Sequence, residues 1–217
     1  MKINKILLQS DGFIRCRSSF YLTRDSINYI DTYEFTSGYN EMIGEIDSGI
    51  WAPSYLLSMY TIRPTDFISF ENTILTVNER ETNLKDFSKY TCYLDEMHPL
   101  FSTSTTVEKK IARGLKKSNS EKTAEEIREM FELTPERFDR PLRAVGNERY
   151  RAMAAIGYAY GKEVFCMPWF SSVRIKYFRG HFQVIKSVLE KEQKIFIFPH
   201  APCPSWDQSE DNQDKCN

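Results

Sequence analysis

An α/β architecture with an antiparallel β part at the N-terminus and a parallel sheet behind it follows from three features of this 217-residue chain. First, the segments "KINKILLQ", "FIRCRSSFYLT", "SINYIDTYEF" and "FISFENTILTVNE" are rich in Ile, Phe, Tyr and Thr, with turn residues between them. Second, the texture turns helical from about Thr105. Thr105 with Glu108, and Thr123 with Glu126, have the spacing of capping boxes, and Thr134-Pro135 reads as an N-cap followed by a first-turn proline. Third, the helical "NERYRAMAAIGYAYG" leads into the apolar strand "EVFCM", and the amphipathic "FRGHFQVIKSVLEKEQ" leads into "KIFIFPH". Helices alternating with buried strands place crossovers on a parallel sheet.

Composition is consistent with one soluble globular unit. Hydrophobic residues make up 41% and charged residues 27%, and the length allows one sizeable core. A net charge of -1 exerts no general pull on nucleic acid or anionic membrane, so either partner requires a local patch. The opening "ILL" is too short for a signal peptide, and no stretch approaches a transmembrane length. Cys16, Cys92, Cys166, Cys203 and Cys216 are scattered without CxxC spacing, which fits reduced cytosolic thiols and excludes a zinc cluster of that kind. One domain is expected over residues 1–205, containing a helical part at about 95–145, with a disordered acidic tail at 206–217.

The segment "GEIDSGIWAPSYLLSMY" carries the first functional hint. Met42 and Ile43 end an apolar run, Gly44 and Gly49 bracket a turn, and a helix with Pro53 in its first turn follows, with Tyr55, Leu56 and Met59 on one face. Strand, glycine turn and helix together outline a phosphate-binding loop. Further landmarks are "CYLDEMHPLFSTSTTVEKKI", the ungapped "AVGNERYRAMAAIGYAYGKEVFCMPW" and the strand-end His200.

Taken in this order, these motifs resemble the ATP-binding domain of ABC transporters over nearly the whole chain. The resemblance implies a P-loop NTPase-like fold with a mixed sheet core, an N-terminal antiparallel part and a helical subdomain. In the family's G-x-x-G-x-G-K-[ST] loop, Gly44 and Gly49 match, Asp47 replaces a glycine, Ile50 the lysine and Trp51 the metal-binding hydroxyl residue. Asp95 or Glu96 stands near the family's glutamine. Ala144 to Glu148 replace the signature pentapeptide and retain Gly146, and Arg151 matches the arginine opening the next helix. Pro168 and Trp169 stand at the magnesium aspartate and catalytic glutamate, and His200 at the switch histidine. By this correspondence the nucleotide positions are Gly44, Ser48, Gly49, Ile50, Trp51, Gly146 and Glu148. The resemblance implies ATP and Mg2+ as ligands.

The substitutions argue against the chemistry. Backbone N–H groups alone can cradle phosphate oxygens. Hydrolysis additionally requires a lysine on the outer phosphates, a hydroxyl and an aspartate on magnesium, and a carboxylate that positions water. Ile50, Trp51, Pro168 and Trp169 replace all four, and Asp47 adds a negative charge to the loop. Hydrolysis is therefore expected to be impaired or absent, with weak or absent binding of Mg-ATP and no metal site.

Simpler roles stand beside these. His200 reads equally as a strand-end histidine held by a backbone carbonyl, and Trp51 and Trp169 as packing residues. Gly44 and Gly49 serve the turn whether or not anything binds, and Asp95, Glu96 and His98 read as a solvated loop. The basic run "VEKKIARGLKK" reads as the wet face of a helix. The function expected is that of a catalytically degenerate cassette, cytoplasmic and peripheral at the inner face of the cell membrane. Its expected partners are an integral membrane transporter subunit and a second cassette, identical or competent, with no nucleic acid. Peptide or bacteriocin export or immunity is the setting suggested by analogy. Two alternatives stay open: an active ATPase drawing its positive charge from Arg143, Arg149 or Arg151, and a free-standing regulatory or adaptor protein retaining the fold.

Overall fold

The computed structural model describes residues 1–10, 13–16, 27–28, 31–59, 68–69, 73–95, 98–101 and 104–203. Glu96 and the acidic tail lie outside the described residues. The N-terminal part comprises β1 (Lys5–Ser10), β2 (Phe13–Cys16), β3 (Ile27–Asn28), β4 (Asp31–Thr36), β5 (Gly38–Ile43), α1 (Ala52–Ser58), β6 (Ile68–Ser69), β7 (Thr73–Val77) and β8 (Arg80–Glu81). After it come α2 (Leu84–Phe87), β9 (Thr91–Tyr93), α3 (Val107–Ser118), α4 (Ala124–Met130), α5 (Pro135–Phe138), α6 (Arg149–Ala159), β10 (Val164–Cys166), α7 (Ser172–Lys191) and β11 (Ile195–His200).

Three sheets organise these strands. An antiparallel sheet runs β4-β1-β7-β8, and β2 pairs antiparallel with β3 and β6. The central sheet runs β5-β11-β10-β9 and is parallel throughout. The mixed α/β architecture and the parallel second half agree with the sequence reading.

Alternation along the short central strands divides the core in two. Cys92, Phe165, Phe196 and Phe198 point to one face, where Ile111, Ala155, Phe182 and other residues of the helices cover them. Tyr93, Cys166, Ile195 and Ile197 point to the other face, against α1 and the Ile6, Leu8, Leu75 and Val77 side of the antiparallel sheet. Burial on both faces explains why β10 and β11 read as continuous apolar runs.

Local signals were correct in kind and slightly displaced in position. Thr123 and Glu126 form the capping box expected of them. The cap of α3 is Thr106 rather than Thr105: Thr106 is extended, and its hydroxyl accepts from Lys109 N. Three residues after the true cap stands Lys109, so no glutamate completes the box. Thr134 occupies the N-cap of α5 without a side-chain capping bond. Helix α7 begins at Ser172, capped by the Ser171 hydroxyl, six residues before the apolar periodicity of "FRGHF" becomes clear. Exposed Val173, Arg174, Lys176 and Tyr177 mask the helical pattern of its first turns.

Helices α3 and α6 pack closely because Gly114 has no side chain. A Cβ there would sit 2.6 Å from the Tyr160 ring and 2.9 Å from the Ala159 backbone carbon. The Ser118 hydroxyl donates to the Ala159 carbonyl at 2.9 Å and secures the end of the same contact.

Candidate functional site

The loop between β5 and α1 contains Gly44, Ser48, Gly49, Ile50 and Trp51. Its backbone forms one short 3-10 turn at Ile46–Ser48, closed by Gly49 at φ 73°, a left-handed conformation that glycine adopts without strain. Ser48 N donates to the Glu45 carbonyl, Gly49 N to Ile46 and Ala52 N to Gly49, so these amides are used within the loop itself. The Ser48 hydroxyl turns back onto the Glu45 carbonyl at 2.6 Å. A Cβ at Gly44 would stand 2.8 Å from the exposed Ser48 hydroxyl, which can rotate away.

Trp51 is 4% exposed. Its indole N–H donates to the Ile46 carbonyl at 3.2 Å, and its ring meets Tyr55 edge-on, which in turn meets Tyr93 edge-on. Ile50 is half-buried and packs against the same cluster. Trp169 is also half-buried and donates its indole N–H to the Gly44 carbonyl at 3.0 Å. Met167, just past β10, accepts from the Ser54 hydroxyl at 2.7 Å. The structure thus brings the glycine loop, the end of β10 and the end of β11 together. Neither Ile50, Trp51, Pro168 nor Trp169 carries a side-chain oxygen, so these four positions offer Mg2+ no side-chain ligand. Among the described residues, no group of three or more His, Cys, Asp or Glu is placed to hold a metal.

His200 is buried at the end of β11, 1% exposed. Its Nε2 lies 2.8 Å from Glu41 Oε1 and its Nδ1 2.7 Å from the Ala201 carbonyl oxygen. Tyr39 donates its hydroxyl to the same Glu41 oxygen at 3.3 Å. The parallel register of β5 and β11, with Glu41 opposite Phe198 and Ile43 opposite His200, brings the carboxylate to the ring. Glu41 was missed in the sequence; the only signal was a charge inside the otherwise uncharged strand "GYNEMI".

Gly146 and Glu148 form a short 3-10 turn immediately before α6. Gly146 is exposed at φ 66°. Glu148 is 3% exposed, accepts from Thr134 N at 3.1 Å, and pairs with Arg137 at 3.4 Å and Arg151 at 3.3 Å. It therefore ties α5 to the start of α6. Among the described residues, neither Gly146 nor Glu148 hydrogen-bonds to the Gly44–Ile50 segment. Arg151 also pairs with Glu132 at 3.5 Å, Arg149 lies over the Tyr150 ring, and Arg143 is exposed.

Cys92, Cys166 and His98 are buried and held in their neutral forms. Burial pushes the Cys92 and Cys166 thiols up to about 12, which keeps both protonated. His98 is buried, accepts from Leu100 N through Nδ1, and is pushed down to about 3, chiefly by burial and then by the nearby Lys162 charge. It is a neutral core histidine rather than part of a solvated loop. Asp95 is half-buried.

No family model matches the sequence, and no curated protein matches it. Solved structures do. An ABC transporter ATP-binding protein from Pyrococcus furiosus is 11% identical, with 92% of each chain covered and a TM-score of 0.60. A dimeric ATP-binding cassette in a post-hydrolysis state, bound to ADP and Pi, is 10% identical, with 90% of this chain and 87% of that chain covered and a TM-score of 0.58. A bacterial Atm1-family ABC exporter with ATP bound is 12% identical at a TM-score of 0.58; 94% of this chain is covered, which spans 35% of the exporter's chain. At these identities the likeness concerns architecture alone. The chain has the fold of the ABC ATP-binding cassette.

Proposed function

We propose that the protein is an ABC-type cassette of about residues 1–205 that does not hydrolyse ATP by the family's mechanism. It serves instead as a structural and coupling partner of a membrane transport component, at the cytoplasmic face of the membrane, pairing with a second cassette. The observation that carries the reading is Trp51. At the position where the family places a metal-binding hydroxyl, this chain buries an indole, fixed by its bond to Ile46 and its edge contact with Tyr55. The amides of Ser48 and Gly49, which a phosphate needs, donate instead to carbonyls of the loop. Opening the loop to a triphosphate requires breaking those bonds and exposing the indole, which opposes binding by several kcal/mol.

The solved cassettes that resemble it, one dimeric and one within an exporter, support the partnership part of the reading. No helix among the described residues is long and apolar enough to cross a membrane, so a membrane-spanning role falls to the partner.

Purified protein is tested by calorimetric titration with Mg-ATP and by phosphate release. The expected result is no turnover above a buffer control and no saturable binding at micromolar ATP. Turnover that is abolished by Gly49→Trp overturns the reading.

A further inference from the structure

The basic side chains of α3 form one continuous exposed stripe. Lys109, Arg113, Lys116 and Lys117 are all exposed, while Val107, Ile111, Gly114 and Leu115 face inward. Spacings of three and four residues align the four charges on one side of the helix. The stripe continues beyond α3. Lys117 reaches over the Tyr160 ring at 5.9 Å, and Lys162, in the turn after α6, donates to the Lys89 carbonyl at 2.6 Å. Lys89 in turn lies over Tyr90 at 5.0 Å.

None of these six cations has an acidic partner among the described residues. Their electrostatic neighbours include other cations. Burial holds Lys162 below the usual lysine range, against a raising effect of Cys92 and with a smaller lowering effect of Lys117, and burial followed by Arg113 lowers buried Lys110. Other surface cations do have acidic partners, as in Lys5–Glu34, Lys122–Glu192 and Arg128–Glu125. Four exposed cations on one side of a single helix, with Glu108 at its first turn, form a local basic stripe on a chain of net charge -1.

We propose that this face, formed by α3, Lys162 and Lys89, docks the protein on an anionic phospholipid surface. Its chemistry favours lipid over other polyanions. Five of the six groups are lysines, point charges on long flexible stems that suit a diffuse headgroup layer, whereas fixed recognition of a carboxylate or phosphate favours the arginine fork. The nearby rings, Tyr160 and Tyr90, lie beneath lysines and are not offered for base stacking. The inference does not depend on whether the glycine loop binds nucleotide.

The test is co-sedimentation of the full chain with phosphatidylcholine vesicles and with vesicles enriched in phosphatidylglycerol. Binding is expected only to the second, with release by added salt. The pairs Lys109→Glu/Arg113→Glu and Lys116→Glu/Lys117→Glu each weaken partitioning about tenfold or more. The pair Lys176→Glu/Lys191→Glu, exposed on α7, leaves partitioning unchanged. Circular dichroism and thermal melting verify that the variants fold, as substitutions at exposed positions should allow. Equal binding to both vesicles, no binding to either, or equal loss in the α7 pair overturns the proposal. So does capture by a polyglutamate peptide without vesicle binding, which assigns the face to an acidic protein segment. The ATP titration reads out separately and is unaffected by any of these results.

Discussion

His200 Nε2 stands 2.8 Å from Glu41 Oε1, a contact between adjacent parallel strands whose other ring nitrogen faces the Ala201 carbonyl. Each ring nitrogen therefore stands within hydrogen-bond distance of an oxygen. Glu41→Gln removes the charged acceptor while retaining the shape. Because the Glu41 side chain is 32% exposed, the expected loss is modest, about 1 kcal/mol, measured by urea unfolding. An unchanged midpoint shows that the contact contributes nothing to stability.

Trp51 is expected to be a stability residue. Trp51→Ala removes a buried ring and leaves a cavity beside Tyr55 and Tyr93, at about 3 to 5 kcal/mol. Trp51→Ser, which places a hydroxyl at this position, destabilises similarly and is expected to produce no ATP turnover. Thermal melts and phosphate release check the two parts separately.

Gly114→Ala tests the α3–α6 contact. Its new methyl meets the Ala159 backbone, which yields less readily than a side chain, so about 1 to 3 kcal/mol is expected despite alanine's better helix propensity. Gly180→Ala on α7, where a Cβ meets nothing within 4 Å, is the control and is expected to stabilise by up to about 1 kcal/mol.

His98 makes stability depend on pH. Its pKa is lowered in the folded state to about 3 from 6.5, so between these values the unfolded chain binds the extra proton. Its contribution is therefore intact above pH 6.5 and declines as pH falls. At pH 5 the decline is about 2 kcal/mol. Comparing urea midpoints at pH 7 and pH 5 for the wild type and His98→Asn isolates the term: the variant should lose less on acidification.

Removing the buried carboxylate of Glu148 leaves Arg151 without its nearest counter-charge and frees Thr134 N. Glu148→Gln is expected to cost about 3 kcal/mol and to raise amide exchange in α5 before it affects the central sheet. Equal loss of protection in α5 and β11 would mean that the pair stabilises the whole fold rather than one joint.

The sequence disclosed the fold where a pattern was local or periodic. "EVFCM" and "KIFIFPH" were legible as strands because burial on both faces leaves an uninterrupted apolar run. Thr123–Glu126 was legible because its reciprocal bonds span only three residues. The two-residue β8 and the one-turn α2 were too short to show a period. In the site, Gly44, Gly49 and Trp51 were visible as a loop followed by a helix, but the loop's internal hydrogen bonding was not. The Glu41–His200 contact spans 159 positions and depends on a strand register that composition does not encode. The sequence reads His98 as a loop residue beside acidic neighbours, because its burial against Phe101 is a tertiary contact that its local sequence does not encode.

Gly44 is gripped at both its polar atoms: its N–H donates to the His200 carbonyl, and its own carbonyl accepts from the Trp169 indole. A breathing motion that lifts the loop must release two anchors on separate strand ends together. The start of the loop and the ends of β10 and β11 therefore belong to one cooperative unit, and the Gly44 amide should exchange with solvent at the pace of β11 rather than that of a surface turn.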